Sequence, residues 1–247
     1  MRKLIQNKRV LVIILLIAGT IVGSCFFFGQ EPEKQQYDYS DYLVPNEQLE
    51  NDEDSELHET VLSLAQLQLA NPDVVGILEF DDRMIYEPVA QAPDNEYYLK
   101  RNIDHDYASA GIPFVGAEGN IYSTNAVIYG HSSTKRDIIF TSLMNYKQES
   151  FYKEHPTFIF ITMEETRTYQ IVSVFEYDTA DINDSAEFTQ FEWRKLSDYA
   201  LFINSLRIKS IYNTGVNVNH DDLLMTIVTC DVDNNNQRVV IVAKLVR

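Results

Sequence analysis

The chain has 247 residues and a formal net charge of −17 at pH 7. The first nine residues carry +4 through Arg2, Lys3, Lys8 and Arg9, so the remainder carries −21. Such an acidic chain is an unlikely partner for nucleic acid or for anionic lipid, and its length suits one domain beside a terminal segment.

An uncharged stretch of nineteen residues, Val10 to Phe28, follows the basic tip. At ~1.5 Å per residue a helix of this length spans roughly 28 Å, enough for a hydrocarbon core. Basic residues before the span favour a cytoplasmic N-terminus with the rest of the chain outside. We therefore expect residues 1–29 to be a cytoplasmic tip and a single-pass anchor. The alternatives are a cleaved signal peptide and a lipoprotein lipidated at Cys25.

Acidic residues dominate the next segment, since Glu31 to Leu57 holds ten carboxylates and one lysine. This composition predicts a solvated stalk over residues 30–54, followed by one domain over 55–247. The domain is expected to open with a helix from Ser55 to Ala70, which Asn71-Pro72 ends.

From Val74 onward, short apolar runs alternate with turn residues, which is typical of strands. Two helical insertions are expected, Ile138 to Tyr152 and Phe191 to Leu206. The pattern predicts a mainly β fold, a closed or nearly closed barrel with an N-terminal helix and a helix-bearing insertion before the last two strands. The expected strands are Val74–Phe80, Met84–Val89, Ala126–Tyr129, Thr157–Thr162, Tyr169–Tyr177, Leu223–Thr229 and Val239–Val246, with Ile112–Val115 as a possible addition.

Cys230 is the only cysteine outside the apolar N-terminal stretch, and it ends a strand-forming run. A disulfide within the domain is therefore excluded, although exported proteins usually use cysteines in pairs. A lone thiol at the polar end of a strand is a candidate nucleophile. The alternative interpretation is that Cys230 only fills space in the core as a small buried apolar residue.

Two other residues complete a candidate constellation. His131 follows a strand ending in Tyr129-Gly130, where an imidazole can face a groove and act as base. Arg238 precedes the closing strand, where a guanidinium can hold a developing oxyanion. The other histidines lie in charged loops, on the first helix, or too far along the cysteine strand to reach the thiol.

No metal or cofactor is expected. The run Asp231 to Asn236 has oxygen side chains but no distal glutamate at the spacing of a calcium loop. We interpret it as a hairpin turn, since Asp and Asn tolerate positive φ.

With these residues in place, the chain resembles the sortases, and class B sortases in particular. The signature Thr-Leu-x-Thr-Cys reads Thr226-Ile227-Val228-Thr229-Cys230 here, with isoleucine for leucine. Further matches are Asn71 to Gly76, Asp94 to Leu99 and the insertion before the cysteine strand. The segment Gly111 to Phe114 departs from the family pattern, and the cysteine-to-arginine spacing is short.

The resemblance implies a membrane-anchored cysteine transpeptidase. Cys230 would form a thioacyl intermediate with a C-terminal sorting signal of a secreted protein, which an amine of a peptidoglycan precursor or cross-bridge would resolve. His131 would transfer protons, and Arg238 would stabilise the oxyanion. Positions implied near the peptide groove are Asn95, Leu99, Tyr129, Thr229 and Asp231.

Two other functions fit the same residues. An exported cysteine peptidase would only hydrolyse its substrate, and a non-catalytic surface barrel would bind peptides without a covalent adduct at Cys230. Incorporation of an added amine into the product distinguishes transfer from hydrolysis.

Overall fold

The computed structural model describes residues 37–45, 60–91, 94–133, 138–181, 186–230 and 236–246. Three α-helices are described, α1 (Leu64–Ala70), α2 (Glu149–Glu154) and α3 (Leu196–Lys209), with short 3₁₀ helices between the strands. The strands are β1 (Leu43–Pro45), β2 (Thr60–Leu62), β3 (Val74–Phe80), β4 (Tyr86–Ala90), β5 (Phe114–Val115), β6 (Asn125–Gly130), β7 (Thr157–Ile161), β8 (Thr166–Asp178), β9 (Leu224–Cys230) and β10 (Gln237–Leu245).

Eight of these strands close into a barrel in the order β10-β8-β7-β3-β4-β5-β6-β9. Neighbouring strands are antiparallel except for two parallel pairs, β4 with β5 and β6 with β9. The barrel class is the one that the alternation of apolar runs and turns predicted, and the fold prediction is confirmed.

The helical predictions need three corrections. Thr60–Leu62, inside the helix expected from Ser55, is a strand paired with Leu43–Pro45, and the helix begins only at Leu64. Ser63 accepts a hydrogen bond from the backbone N–H of Gln66, so it caps that later start. The region expected as one helix from Ile138 divides into a 3₁₀ helix, Thr141–Lys147, and α2, because Gln148 is extended between them.

The third correction concerns the helix of the insertion, which begins at Leu196 instead of Phe191. Trp193 therefore precedes the helix, and its ring packs on Tyr199 and Phe202 with centroids 4.8 and 4.7 Å away. Leu196, expected on the packed face, is 59% exposed.

Residues 37–45, which fall within the expected acidic stalk, lie against the barrel. The Tyr39 hydroxyl donates to Glu87 at 2.8 Å, and the hydroxyls of Tyr37 and Tyr42 donate to the two carboxylate oxygens of Asp104. Among the described residues no helix is both long and apolar enough to cross a membrane, and the expected span Val10 to Phe28 lies outside them.

Part of the segment between β8 and β9 packs against strands β8 and β6 of the barrel. Phe188 packs edge-on against Phe175 of β8, and the side chain of Asn125 on β6 donates to the carbonyls of Phe188 and Gln190. Most residues of β9 and β10 are buried on both faces, which explains why their sequences are apolar with little alternation.

Candidate active site

Three neighbouring strands bring the candidate residues to one end of the barrel. Strand β9 lies between β6, its parallel neighbour, and β10, its antiparallel neighbour. Arg238 is the direct backbone partner of Cys230, and Gly130 is the partner of Thr229. His131 therefore follows β6 at the level of Cys230, with Arg238 on the other side of the cysteine strand.

His131 is buried, with 5% of its surface exposed. Its Nε2 lies 3.1 Å from the backbone carbonyl oxygen of Leu99. Burial lowers the pKa of the imidazole from its ordinary value of 6.5 to about 4. The hydrogen bond to Leu99 opposes this shift, while the charges of Lys100 and Arg238 add to it. The ring is thus neutral near pH 7, which is the form that can accept a proton.

Arg238 is only 4% exposed, which is unusual for an arginine. Its guanidinium donates to the carbonyl oxygen of Gln237 at 2.9 Å, and its backbone is paired with Tyr177 on the β8 side. Since the charge of Arg238 contributes to the pKa of His131, the two side chains are within electrostatic reach of each other. The site therefore combines a neutral imidazole with a fixed positive charge.

The structure describes the backbone of Cys230 as the last residue of β9. Thr229 is buried one position earlier, so alternation along the strand directs its side chain to the opposite face from position 230. The Thr229 hydroxyl has no hydrogen-bond partner among the described residues. Asp231, also implied near the groove, lies outside the described residues.

Three of the residues that the family resemblance implies near the peptide have described contacts. The amide of Asn95 donates to both oxygens of Glu118 at 3.0 Å and accepts from the backbone N–H of Ala117 at 2.7 Å. Burial raises the pKa of the Tyr129 hydroxyl, and the charge of Glu118 adds to that shift. Leu99 is buried, and its carbonyl oxygen contacts the His131 ring.

Sequence reasoning missed that Phe191 packs near Tyr129. Its ring and that of Tyr129 both crowd Gly116, where an added Cβ would lie 3.1 and 3.0 Å from them. An added Cβ at Gly119 would overlap the Phe191 ring at 2.0 Å. The only available signal was two glycines close together opposite a long insertion, which is too weak to predict a contact.

The remaining described histidines have other surroundings. His105 lies 3.2 Å from the hydroxyl of Tyr97, and Nδ1 of His155 lies 3.5 Å from Asp81. His220 precedes β9 by several residues instead of starting it. Within the described ranges, no three His, Cys, Asp or Glu side chains converge in a way that could hold a metal ion.

Comparison with known proteins identifies the family. The sortase domain model matches residues 88–246 of the chain. The chain belongs to the sortase family. That match contains all three strands of the candidate site.

Its relatives are class B enzymes. Sortase B of Listeria monocytogenes is 30% identical over 187 residues, which cover 74% of each chain. The structure of Clostridium perfringens sortase B superposes with a TM-score of 0.69 at 27% identity, covering 75% of this chain and 100% of that one. A Staphylococcus aureus sortase B–substrate complex matches with a TM-score of 0.66 at 26% identity, covering 74% and 84%.

The resemblance noted from the cysteine motif is thus confirmed. The protein is a transpeptidase of the class B sortase type, a family associated with the cell surface.

Proposed function

We propose that this sortase cleaves a C-terminal sorting signal of secreted proteins and transfers them to an amine of the cell wall, in a peptidoglycan precursor or cross-bridge. One observation carries the assignment of residues. The β6-β9-β10 register aligns His131, Cys230 and Arg238 across three adjacent strand ends. Each residue then has a distinct role in acyl transfer.

The first half-reaction uses the neutral imidazole. The Leu99 carbonyl can only accept a hydrogen bond, so Nε2 of His131 carries the proton and Nδ1 holds the lone pair. As Sγ of Cys230 bonds to the scissile carbonyl carbon, Nδ1 takes the thiol proton. The carbon–nitrogen bond then breaks, and the imidazole returns that proton to the departing amine.

The second half-reaction reverses these roles. An incoming amine attacks the thioester carbon and transfers a proton to Nδ1 of His131. The new carbon–nitrogen bond forms as the carbon–sulfur bond breaks, and the thiolate regains its proton. In both halves the carbonyl oxygen becomes negatively charged, and the buried guanidinium of Arg238 stabilises it.

The signal peptide would bind beside these groups. Asn95, Leu99 and Tyr129 line one side of the groove, and Thr229 would contribute its backbone, because its side chain is on the opposite face. Asp231 completes the set by resemblance to the family. The Staphylococcus aureus relative, solved as a substrate complex, supports a peptide site on this fold.

The proposed topology follows from the N-terminal sequence. Residues 1–29 form a cytoplasmic tip and anchor, 30–54 an acidic connecting segment, and 55–247 the catalytic domain outside the membrane. Protease added to wall-stripped cells should digest the catalytic domain and spare a short membrane fragment. A mature N-terminus at a lipid-modified Cys25 would replace the anchor with a lipoprotein.

The decisive experiment incubates the full chain in detergent with a library of sorting-type peptides and an added amine, followed by mass spectrometry. The expected products are a peptide cleaved at one bond and a conjugate of its N-terminal part with the amine. The variant Cys230→Ala should give neither while keeping its circular dichroism spectrum. Cleavage without a conjugate would indicate a hydrolase, and peptide binding without cleavage would indicate a non-catalytic receptor.

A further inference from the structure

The carbonyl of Leu99 determines how the His131 ring is held. It lies 3.1 Å from Nε2, and a carbonyl accepts only from a protonated nitrogen. A neutral imidazole has one N–H, so this contact selects the tautomer with its lone pair on Nδ1. If the carbonyl moved or rotated away, that selection would be lost. The peptide unit between Leu99 and its neighbours therefore controls which nitrogen exchanges a proton.

A buried polar network fixes one side of this peptide. Tyr98 and Asn71 are both fully buried. The Tyr98 hydroxyl donates to Asp73 at 2.8 Å and accepts from the amide of Asn71 at 2.9 Å. The same Asn71 amide donates to the carbonyl of Ile103 at 3.0 Å. Residue 98 is thus attached to Asn71 and Asp73, just before β3, by hydrogen bonds in a largely buried setting, where they are electrostatically stronger than in water.

Gly111 fixes the other side. It has φ +60°, and an added Cβ would lie 2.2 Å from the carbonyl oxygen of Tyr98 and 2.7 Å from that of Leu99. The next residue, Ile112, donates its N–H to the Tyr98 carbonyl at 3.2 Å. This segment is the one that departs from the family pattern, and its glycine is required by direct contact with the Tyr98–Leu99 peptide.

We propose that Asn71, Tyr98 and Gly111 are positioning residues that hold the Leu99 carbonyl against Nε2 of His131 and so keep Nδ1 as the proton-transferring atom. The inference rests on the proposed function, since it needs His131 to transfer protons. None of the three touches the reacting atoms. They act through Leu99, and small displacements at a catalytic group have large effects on rate.

Glycine substitution provides the sharpest test, because the chain offers a matched pair. Gly111→Ala places a methyl group against the two carbonyl oxygens. Gly215→Ala introduces the same kind of strain, at φ +71°, but meets no atom within 4 Å. For the peptide that the unmodified enzyme cleaves, kcat of Gly111→Ala should fall about 100-fold. For Gly215→Ala it should remain within about twofold of the unmodified enzyme.

A tyrosine pair tests the network without adding bulk. Tyr98→Phe removes the hydroxyl that bonds Asp73 and Asn71. Tyr146→Phe removes an equally buried hydroxyl, which donates to the carbonyl of His155 at 3.0 Å. We expect kcat to fall about 10-fold for Tyr98→Phe with KM within about a factor of two, the pattern of a lost transition-state interaction. Tyr146→Phe should lower stability and leave kcat unchanged.

A direct readout is the ¹⁵N spectrum of the full chain labelled at histidine. The unmodified protein should show His131 as the Nε2–H tautomer, and Tyr98→Phe and Gly111→Ala should show a mixture. If His131 keeps one tautomer in Tyr98→Phe, and kcat matches that of Tyr146→Phe, the proposal is wrong. Tyr98→Phe decides the question even if Gly111→Ala fails to fold. The spectrum needs no substrate, so it tests positioning even if the proposed function fails.

Discussion

Arg238 and Cys230 are direct partners across the antiparallel β9–β10 ladder. Such partners have Cα atoms about 4.5–5.5 Å apart, so the ladder holds the backbone of Arg238 close to that of Cys230. In this sequence the two residues are only eight positions apart, a shorter spacing than the family pattern. The strand register therefore brings together two positions that are also near each other in sequence.

Replacing this arginine with lysine is expected to impair catalysis. An ammonium group lacks the planar fork of a guanidinium, so Arg238→Lys should lower kcat by roughly 10²–10³-fold. Arg167→Lys is the control, because Arg167 is also buried but donates to Glu165 and to the carbonyl of Ile121. Steady-state kinetics on both variants will show the difference. A fully active Arg238→Lys enzyme would show that the guanidinium is not needed to stabilise the oxyanion.

The buried imidazole predicts a loss of stability in acid. The pKa of His131 is about 4 in the folded chain, compared with 6.5 in an unfolded one, so the unfolded state binds a proton first as the pH falls. The contribution of neutral His131 to the free energy of unfolding is complete above pH 6.5 and is lost as the pH falls towards 4. Between pH 7 and about pH 4.5 the loss of stability amounts to about 2 kcal/mol.

Urea unfolding at several pH values measures this effect. In His131→Gln the free energy of unfolding should fall by about 2 kcal/mol less between pH 7 and acid than in the unmodified protein. The exposed His220→Gln should leave it as in the unmodified protein. If the free energy of unfolding varied equally with pH in all three proteins, this would contradict a buried neutral imidazole.

The insertion helix offers a pair of neighbouring apolar residues with different surroundings. Trp193→Ser removes a ring stacked on Phe202, so stability should fall by ~1.5–3 kcal/mol. Leu196→Ser changes a residue that is 59% exposed, so the effect should stay within about 0.5 kcal/mol. Melting temperatures of the two variants will decide, and an equal loss would mean that Leu196 is packed after all.

The carboxylate of Asp104 contributes to docking of the N-terminal segment. Asp104 accepts from both Tyr37 and Tyr42, so Asp104→Ala should release residues 37–45. Exposed bonds of this kind contribute about 1 kcal/mol, which predicts a roughly fivefold faster hydrogen exchange of those amides. The nearby Asp106→Ala makes the same change of charge and should leave exchange unaltered. Unchanged exchange in Asp104→Ala would show that the pairing of β1 with β2 and the Tyr39–Glu87 hydrogen bond are enough to hold the segment.

Much of the barrel could be predicted from the sequence because its strands are short apolar runs between turn residues. The runs around Ile227 and Ile241 are continuous enough to show burial on both faces. The helices were harder to predict. Leu57, Val61 and Leu64 fit helical spacing, yet Val61 lies in a strand because Thr60–Leu62 pairs with Leu43–Pro45, a contact that local spacing does not encode.

The candidate residues were found from residue type and motif, but their arrangement was not. The sequence gives no sign that the Leu99 carbonyl meets His131, or that Tyr98 and Gly111 hold that carbonyl in place. Such contacts depend on a loop crossing the ends of strands that are distant along the chain. Backbone groups also carry no residue identity, so composition and motifs do not reveal them.

The pairing of β6 with β9 joins positions about 100 residues apart, and all of β7, β8 and α3 lies between them. Closing so long a loop is entropically unfavourable, which places this parallel contact among the slow steps of folding. Until the barrel closes, the backbone of Cys230 has neither β6 nor β10 beside it. Under the proposed function, a nascent chain therefore carries an ordinary thiol, and its reactivity towards peptides arises only with the completed fold.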